Sequence, residues 1–354
     1  VFPVPRNEKK ADICTMKRGA AYFICFAALF LVPSVGIHAA GLQEGGALLF
    51  HGVEGIELDA GIMNVEILPS GTETVTFATE GLWERGRVRH EVGDVLLRIV
   101  AEQLSDAPAF GRNPGTACLS VPNGVVMRIY TSSGNVTVRD VFTDRITVRS
   151  RDGEISVRNA SSAFDLRTTS GSITVENAVG GKILATSTGT ITVRNSSGNI
   201  DATGPVGRHR YERIRGSLYV QAGIGDVEVN LMRGPLRIYT SVGNIVCRSV
   251  FITDDSDFRS NAGNISVELL NEFPLVGFEL STITGSIAVG DRRSDGTLVL
   301  NERATLDVTG RAPLGRQEYR FRRITGAERS GGFDPTAPDP LPPEPGPLLD
   351  VSGL

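Results

Sequence analysis

Residues 169–202 read TSGSITVEN (169–177), AVGGKILAT (178–186), STGTITVRN (187–195) and SSGNIDA (196–202) when cut every nine residues. Each phrase opens on a glycine or small polar turn, then places an apolar residue, a polar or small one, and usually another apolar one. The same register runs through Gly134, Gly153, Gly171, Gly181, Gly189, Gly198, Gly207, Gly216, Gly225, Gly234, Gly243, Gly263 and Gly285. A short fixed period marks stacked units that share one core. The 18-residue period is sharper still: Asn159, Asn177 and Asn195 each follow the second apolar residue of a strand by two. Asparagine hydrogen-bonds its own corner and tolerates a left-handed backbone. Eighteen residues are therefore read as one coil of two strand-plus-corner arms. The predicted fold is all-β, a single-stranded β-solenoid of the β-helix or β-roll kind.

The pairs Ile155/Val157, Ile173/Val175, Ile191/Val193, Val227/Val229, Ile265/Val267 and Ile287/Val289 are expected to point inward, with Thr174, Thr192 and Ser266 facing water. Stiff branched aliphatics suit a narrow core between pleated strands. One nine-residue arm buries too little to order itself, so stability must come from neighbouring coils.

Working outward, residues 123–326 carry the repeat and residues 48–122 form strands expected to cap its start, with a surface loop at 101–115. Trp83 is expected to anchor that core or cap. The repeat is interrupted at GRHRYERIR (207–215), where His209 and Tyr211 take inward positions. A local bulge or solvent-facing corner is expected there. Enlarged corners are expected at ITDDSDF (252–258) and LLNEFPLVGF (269–278), and a last strand within EYRFRRITG (318–326). Residues 331–354 are proline-rich and read as a disordered tail.

At the other end, Met16-Lys17-Arg18 precedes an apolar run to Val32 and a small-residue exit at 36–40. That is the anatomy of a signal peptide, assigned to residues 16–40 with Met16 as the start; residues 1–15 read as a non-native or disordered leader. The run is short for a membrane span, so membrane contact is expected only through this segment, if it stays uncleaved. Export is the expectation, to the periplasm, the outer membrane surface or elsewhere in the cell envelope.

Composition and motifs narrow the chemistry. The net charge of -4, from 36 basic and 40 acidic residues, gives no reason to expect nucleic acid as a partner. Cys118 and Cys247 stand at no metal-ligand spacing; two isolated thiols are expected, with Cys247 replacing a strand aliphatic, and a bridge only if the fold joins them. The glycine turns lack the aspartates of calcium-binding nonapeptides. The acidic run at 254–257 reads as a solvated corner, with a weak cation site as the alternative. No metal motif, nucleophile elbow or phosphate loop is present, so no enzyme and no cofactor are predicted. Two surface readings stand for Arg139, Arg145, Arg149, Arg151, Arg158 and Arg167. They are a basic stripe for an anionic glycan or headgroup, or a solvated face broken by Asp140, Asp144, Asp152 and Glu154.

The phrases TSGSITV, STGTITV, SSGNIDA, SVGNIVC and NAGNISV, preceded by GVEGIELDAGIMNVEIL and DVLLRIV, resemble the "putative adhesin" family of bacterial envelope proteins. The resemblance implies right-handed solenoid repeats and an envelope or surface role, and supplies no catalytic residues. The predicted function is an adhesin-like or scaffolding module whose partner is an envelope or host-surface protein or a glycan. Alternatives are a regulatory or sensory envelope module binding a protein, and a polysaccharide-active enzyme.

Overall fold

The computed structural model describes residues 47–81, 87–102 and 115–323. The leader, the signal segment, Trp83, most of the 101–115 loop and the proline-rich tail lie outside them.

Strands one coil apart pair in parallel and in register. Ile173 lies beside Ile191, and the row continues through His209, Val227, Ile245 and Ile265. A second row is built from the intervening strands Lys182–Thr188, Ile200–Val206, Leu218–Ile224 and Leu236–Val242. Alternate side chains of both rows meet in one continuous buried cluster. Each inward aliphatic predicted above is in it. Period-2 alternation puts one side of every strand inside, and like residues stack because the coil length is constant. Val138, Val157, Val175 and Val193 show the result: they are successive register partners, and none has any exposed surface.

Two columns of corner residues make the stacking tight. At Gly189 and Gly207 a Cβ would overlap the carbonyl of the column glycine one coil earlier, Gly171 and Gly189 respectively. No other residue type permits that approach. On the opposite corner Asp140, Asn159, Asn177, Asn195, Arg213, Leu231 and Ser249 all hold φ between +47° and +56°. The asparagine ladder forms at its start: Asn177 Nδ2 donates to Asn159 Oδ1, and Asn159 Nδ2 to Asp140 Oδ1, both at 2.9 Å. Three later coils keep the left-handed corner without asparagine.

Three features differ from the sequence reading. The solenoid extends back into residues 48–122: Gly55–Asp59 pairs in parallel with both Leu96–Glu102 and Val126–Thr131, so these strands are coils themselves. The end is covered by antiparallel strands, Ala47–His51 and Thr74–Glu80 on one row and Arg87–Val92 on the other. Antiparallel strands stop further parallel stacking.

Second, the strand His209–Arg215 stays in register, and His209 and Tyr211 are fully buried. The expected bulge is absent because Gly204 makes room: a Cβ there would stand 2.6 Å from His209 Nε2.

Third, the C-terminal coils are out of chain order. Leu306–Arg311 lies between Ser256–Ala262 and Val276–Ser281, while Gln317–Phe321 lies between Ile265–Leu269 and Ile287–Val289. The enlarged 269–278 corner is the crossover, with a 3-10 turn at Phe273–Leu275. The antiparallel strands Thr297–Leu300 and Arg292–Ser294 close this end.

Candidate functional site

The repeat aliphatics offer no site. Ile155, Val157, Ile173 and Val175 pair as two register couples inside the solenoid and are 1% exposed at most. A ligand outside the coils cannot touch them, so Val157 and Val175 serve packing alone. Any site must be built from the outward positions between them.

The six candidate arginines do not form one stripe. Arg139 and Arg158 are register neighbours on one row, and Arg149 and Arg167 on the other. Parallel register places like positions about 4.8 Å apart, so carboxylates are needed beside them. Arg139 pairs with Glu66, and Arg151 with Asp152 at 2.9 Å. Arg158 lies 3.7 Å from Glu176. Arg149 grips Asp165 with two nitrogens at 2.9 and 2.7 Å, and Arg167 adds a third contact at 2.8 Å. The Arg149 hydrogen bond, supported by Arg167, holds the Asp165 carboxyl below the usual carboxylate range. Arg145 stands exposed at one end of a shallow groove shared with Ile183, Asn199, Asp201 and Tyr219.

The same logic continues along the first row as an alternating column: Arg158, Glu176, Arg194 and Glu212 lie in register. Such neighbours cancel one another and leave little net field for an outside ligand.

Two buried polar side chains carry chemistry that sequence reasoning missed or misplaced. Lys182 occupies an inward position between Phe164 and Ile200 and is almost wholly buried. Its ammonium donates to the carbonyls of Gly180 at 2.7 Å and Ser197 at 2.8 Å, and burial pulls its pKa down to about 8. The signal was visible: KIL in GGKILAT places a lysine where the neighbouring coils have the apolar Phe164 and Ile200. His209 is the other. Its Nδ1 lies 3.2 Å from the Tyr211 hydroxyl, and burial lowers its pKa to about 4. His209 is fully enclosed, whereas Lys182, though almost wholly buried, lies at the wall of the groove that Arg145 borders.

The acidic run at 254–257 is an exposed corner, as expected, and two of its carboxylates also reach the neighbouring C-terminal coil. Asp255 Oδ1 accepts from the Asp307 amide, and Asp257 Oδ1 from the Thr309 hydroxyl, each at 2.9 Å. Among the described residues no group of three or more His, Cys, Asp or Glu is placed to hold a metal ion. Cys247 is the isolated buried thiol expected, between Val229 and Val267, whereas Cys118 is disulfide-bonded, and its bridge does not involve Cys247.

The most distinctive exposed surface lies at one corner. Val206, Ile224 and Val242 stack in register while 45%, 59% and 49% exposed. Arg208, Arg210 and Asp226 line a groove at the foot of this ridge, beside Val206 and Ile224. At other coils the same position is polar or small, as at Ser170, Thr188 and Ala262.

Residues 126–305, a run of successive coils on this architecture, match the model of the Toastrack DUF4097 family. The chain belongs to that family. The Toastrack match begins at Val126 and ends one residue before Leu306, the first residue of the strand pair inserted out of order. No curated protein matches the chain. Among solved structures it is similar to a putative cell adhesion protein from Clostridium sporogenes ATCC 15579, at 11% identity over 78% of this chain and 99% of that one, with a TM-score of 0.22. A putative adhesin from Bacteroides fragilis NCTC 9343 matches at 12% identity over 78% and 98%, with a TM-score of 0.28. A putative lipid binding protein from Parabacteroides distasonis ATCC 8503 matches at 14% identity over 79% and 98%, with a TM-score of 0.35. Likenesses this distant assign no ligand to the Toastrack chain.

Proposed function

We propose that this protein is an exported, non-catalytic module of the cell envelope that works by adhesin-like contact or as a scaffold. In this reading the coils wind right-handed and residues 16–40 direct export. The observation that carries the proposal is the in-register ridge of Val206, Ile224 and Val242 on a stack of paired coils. Exposed aliphatics at successive coils offer a partner a regular apolar strip, and contiguous patches of this kind mark interaction surfaces. The partner is an envelope or host-surface protein or a glycan. Arg139, Arg145, Arg149, Arg151, Arg158 and Arg167 remain candidates for an anionic ligand, distributed over separate faces.

Protease treatment of intact and permeabilised cells, followed by crosslinking, tests this. Cleavage in intact cells with binding to matrix or glycan supports adhesion. Protection in intact cells with recovery of envelope partners supports a scaffold. Recovery of the chain from the cytoplasm defeats the proposal. Replacing Val206, Ile224 and Val242 together by serine should abolish partner recovery while leaving the fold intact.

A further inference from the structure

The inserted coil at the C-terminal end occupies a slot whose two walls match each other. Ile265 and Ile287 both face Gln317, and Gly263 and Gly285 are both stacked on Gly315. The coils on either side, 256–269 and 276–289, thus share one phase and present parallel strand edges to whatever lies between. In chain order they would be neighbours. The chain instead runs past the slot, turns back through the antiparallel strands, and returns to fill it.

The inward residues of the insert include Val308, Gly310, Ala312, Gln317 and Tyr319, where the walls supply Phe258, Ile265, Val267, Phe278, Leu280 and Ile287 beside Ser256 and Ser260. Tyr319 is held edge-on between Phe258 and Phe278, and Gln317 Nε2 donates to the Ser281 carbonyl at 2.7 Å. Placed between coils that precede it in the chain, it is the layer that can leave while both walls keep their own order. Its recognition is nevertheless specific. Asp255 receives the Asp307 amide, Asp257 the Thr309 hydroxyl, and Asn264 Oδ1 the Arg316 amide at 2.9 Å. Arg322 closes on Glu268 at 2.8 Å.

We propose that this slot is a strand-acceptor site and that residues 306–322 of a second copy of the chain can fill it, joining two chains by exchanged strand pairs. A second copy is the occupant because only this sequence supplies the Thr309, Gln317, Tyr319 and Arg322 contacts that the walls receive. Every contact made within one chain is then made between two, so exchange costs no complementarity. The hinge is the segment 301–305, where Asn301 sits at φ +52° and donates to the Phe273 and Val276 carbonyls.

The full-length chain should be unfolded and refolded at low and high concentration and sized by light scattering. High concentration is expected to yield a dimer that persists on dilution; monomer at every concentration overturns the proposal. Deleting the exposed Glu302 and Arg303 shortens the hinge and should convert most of the chain to dimer, because short hinges favour exchange. A folded, monomeric deletion variant overturns it. Should that variant not fold, hydrogen exchange of the intact chain decides. Amides of 306–311 and 317–321 should exchange at least about tenfold faster than those of 227–247, and equal protection overturns the proposal.

Discussion

The Nδ1 of His209 and the hydroxyl of Tyr211 lie 3.2 Å apart inside the solenoid, in the positions that Ile191 and Val193 hold one coil earlier. A polar pair stands in an aliphatic column, and Gly204 on the facing strand row makes the space for it. The register neighbours Ile191, Val193, Val227 and Val229 carry no charge, and burial, with a smaller effect from Asp201, pushes the Tyr211 hydroxyl pKa up.

Acid should therefore weaken the fold through His209. Its folded pKa, about 4, lies below the unfolded value near 6.5. The unfolded chain binds the extra proton first, so stability falls as pH drops from about 6.5 to about 4, by on the order of 3 kcal/mol. Denaturant midpoints at pH 7 and pH 4.5 should diverge in the native chain and converge in His209→Val. An unchanged pH dependence in the variant would count against the assignment.

Leu231 holds a left-handed backbone that leucine disfavours by about 1–2 kcal/mol. Leu231→Asn should raise the unfolding free energy by about 1 kcal/mol, since Asn177 and Asn195 occupy the same corner in other coils. A lower midpoint in urea would contradict this reading of the column.

Glycines of similar sequence context should respond oppositely. Gly207→Ala drives a methyl into the Gly189 carbonyl and is expected to prevent stable folding. Gly181→Ala meets nothing within 4 Å and should shift the thermal midpoint only slightly. Matching losses in the two variants would remove close approach as the cause.

Side-chain direction gives the last contrast. Ile191→Asp buries a carboxylate in the continuous core and should cost more than about 4 kcal/mol. Thr192→Lys, one residue on, is half-buried beside Thr174 and Arg210 and should be mild. Circular dichroism melts of both proteins check this; similar melts would argue against the inward and outward assignment.

The coil length, the inward aliphatics such as Val157 and Val175, the asparagine corners and the all-β class were legible in the sequence, because each follows from a local period. A residue repeated every 18 positions must meet its equivalents once the chain winds at that pitch, and β alternation assigns its side. Tertiary structure alone decided the rest. The order of coils at both ends depends on which strand edges remain open when the chain returns, and the period is the same whether coils stack in sequence or are inserted later. The burial of His209 depended on Gly204, five residues earlier and on the other row. The dispersal of the arginines followed from which carboxylate each met across a strand. Arg158 and Glu176 stand one coil apart, but the Arg139–Glu66 and Arg149–Asp165 pairs do not follow the 18-residue period, so only the folded chain fixed them.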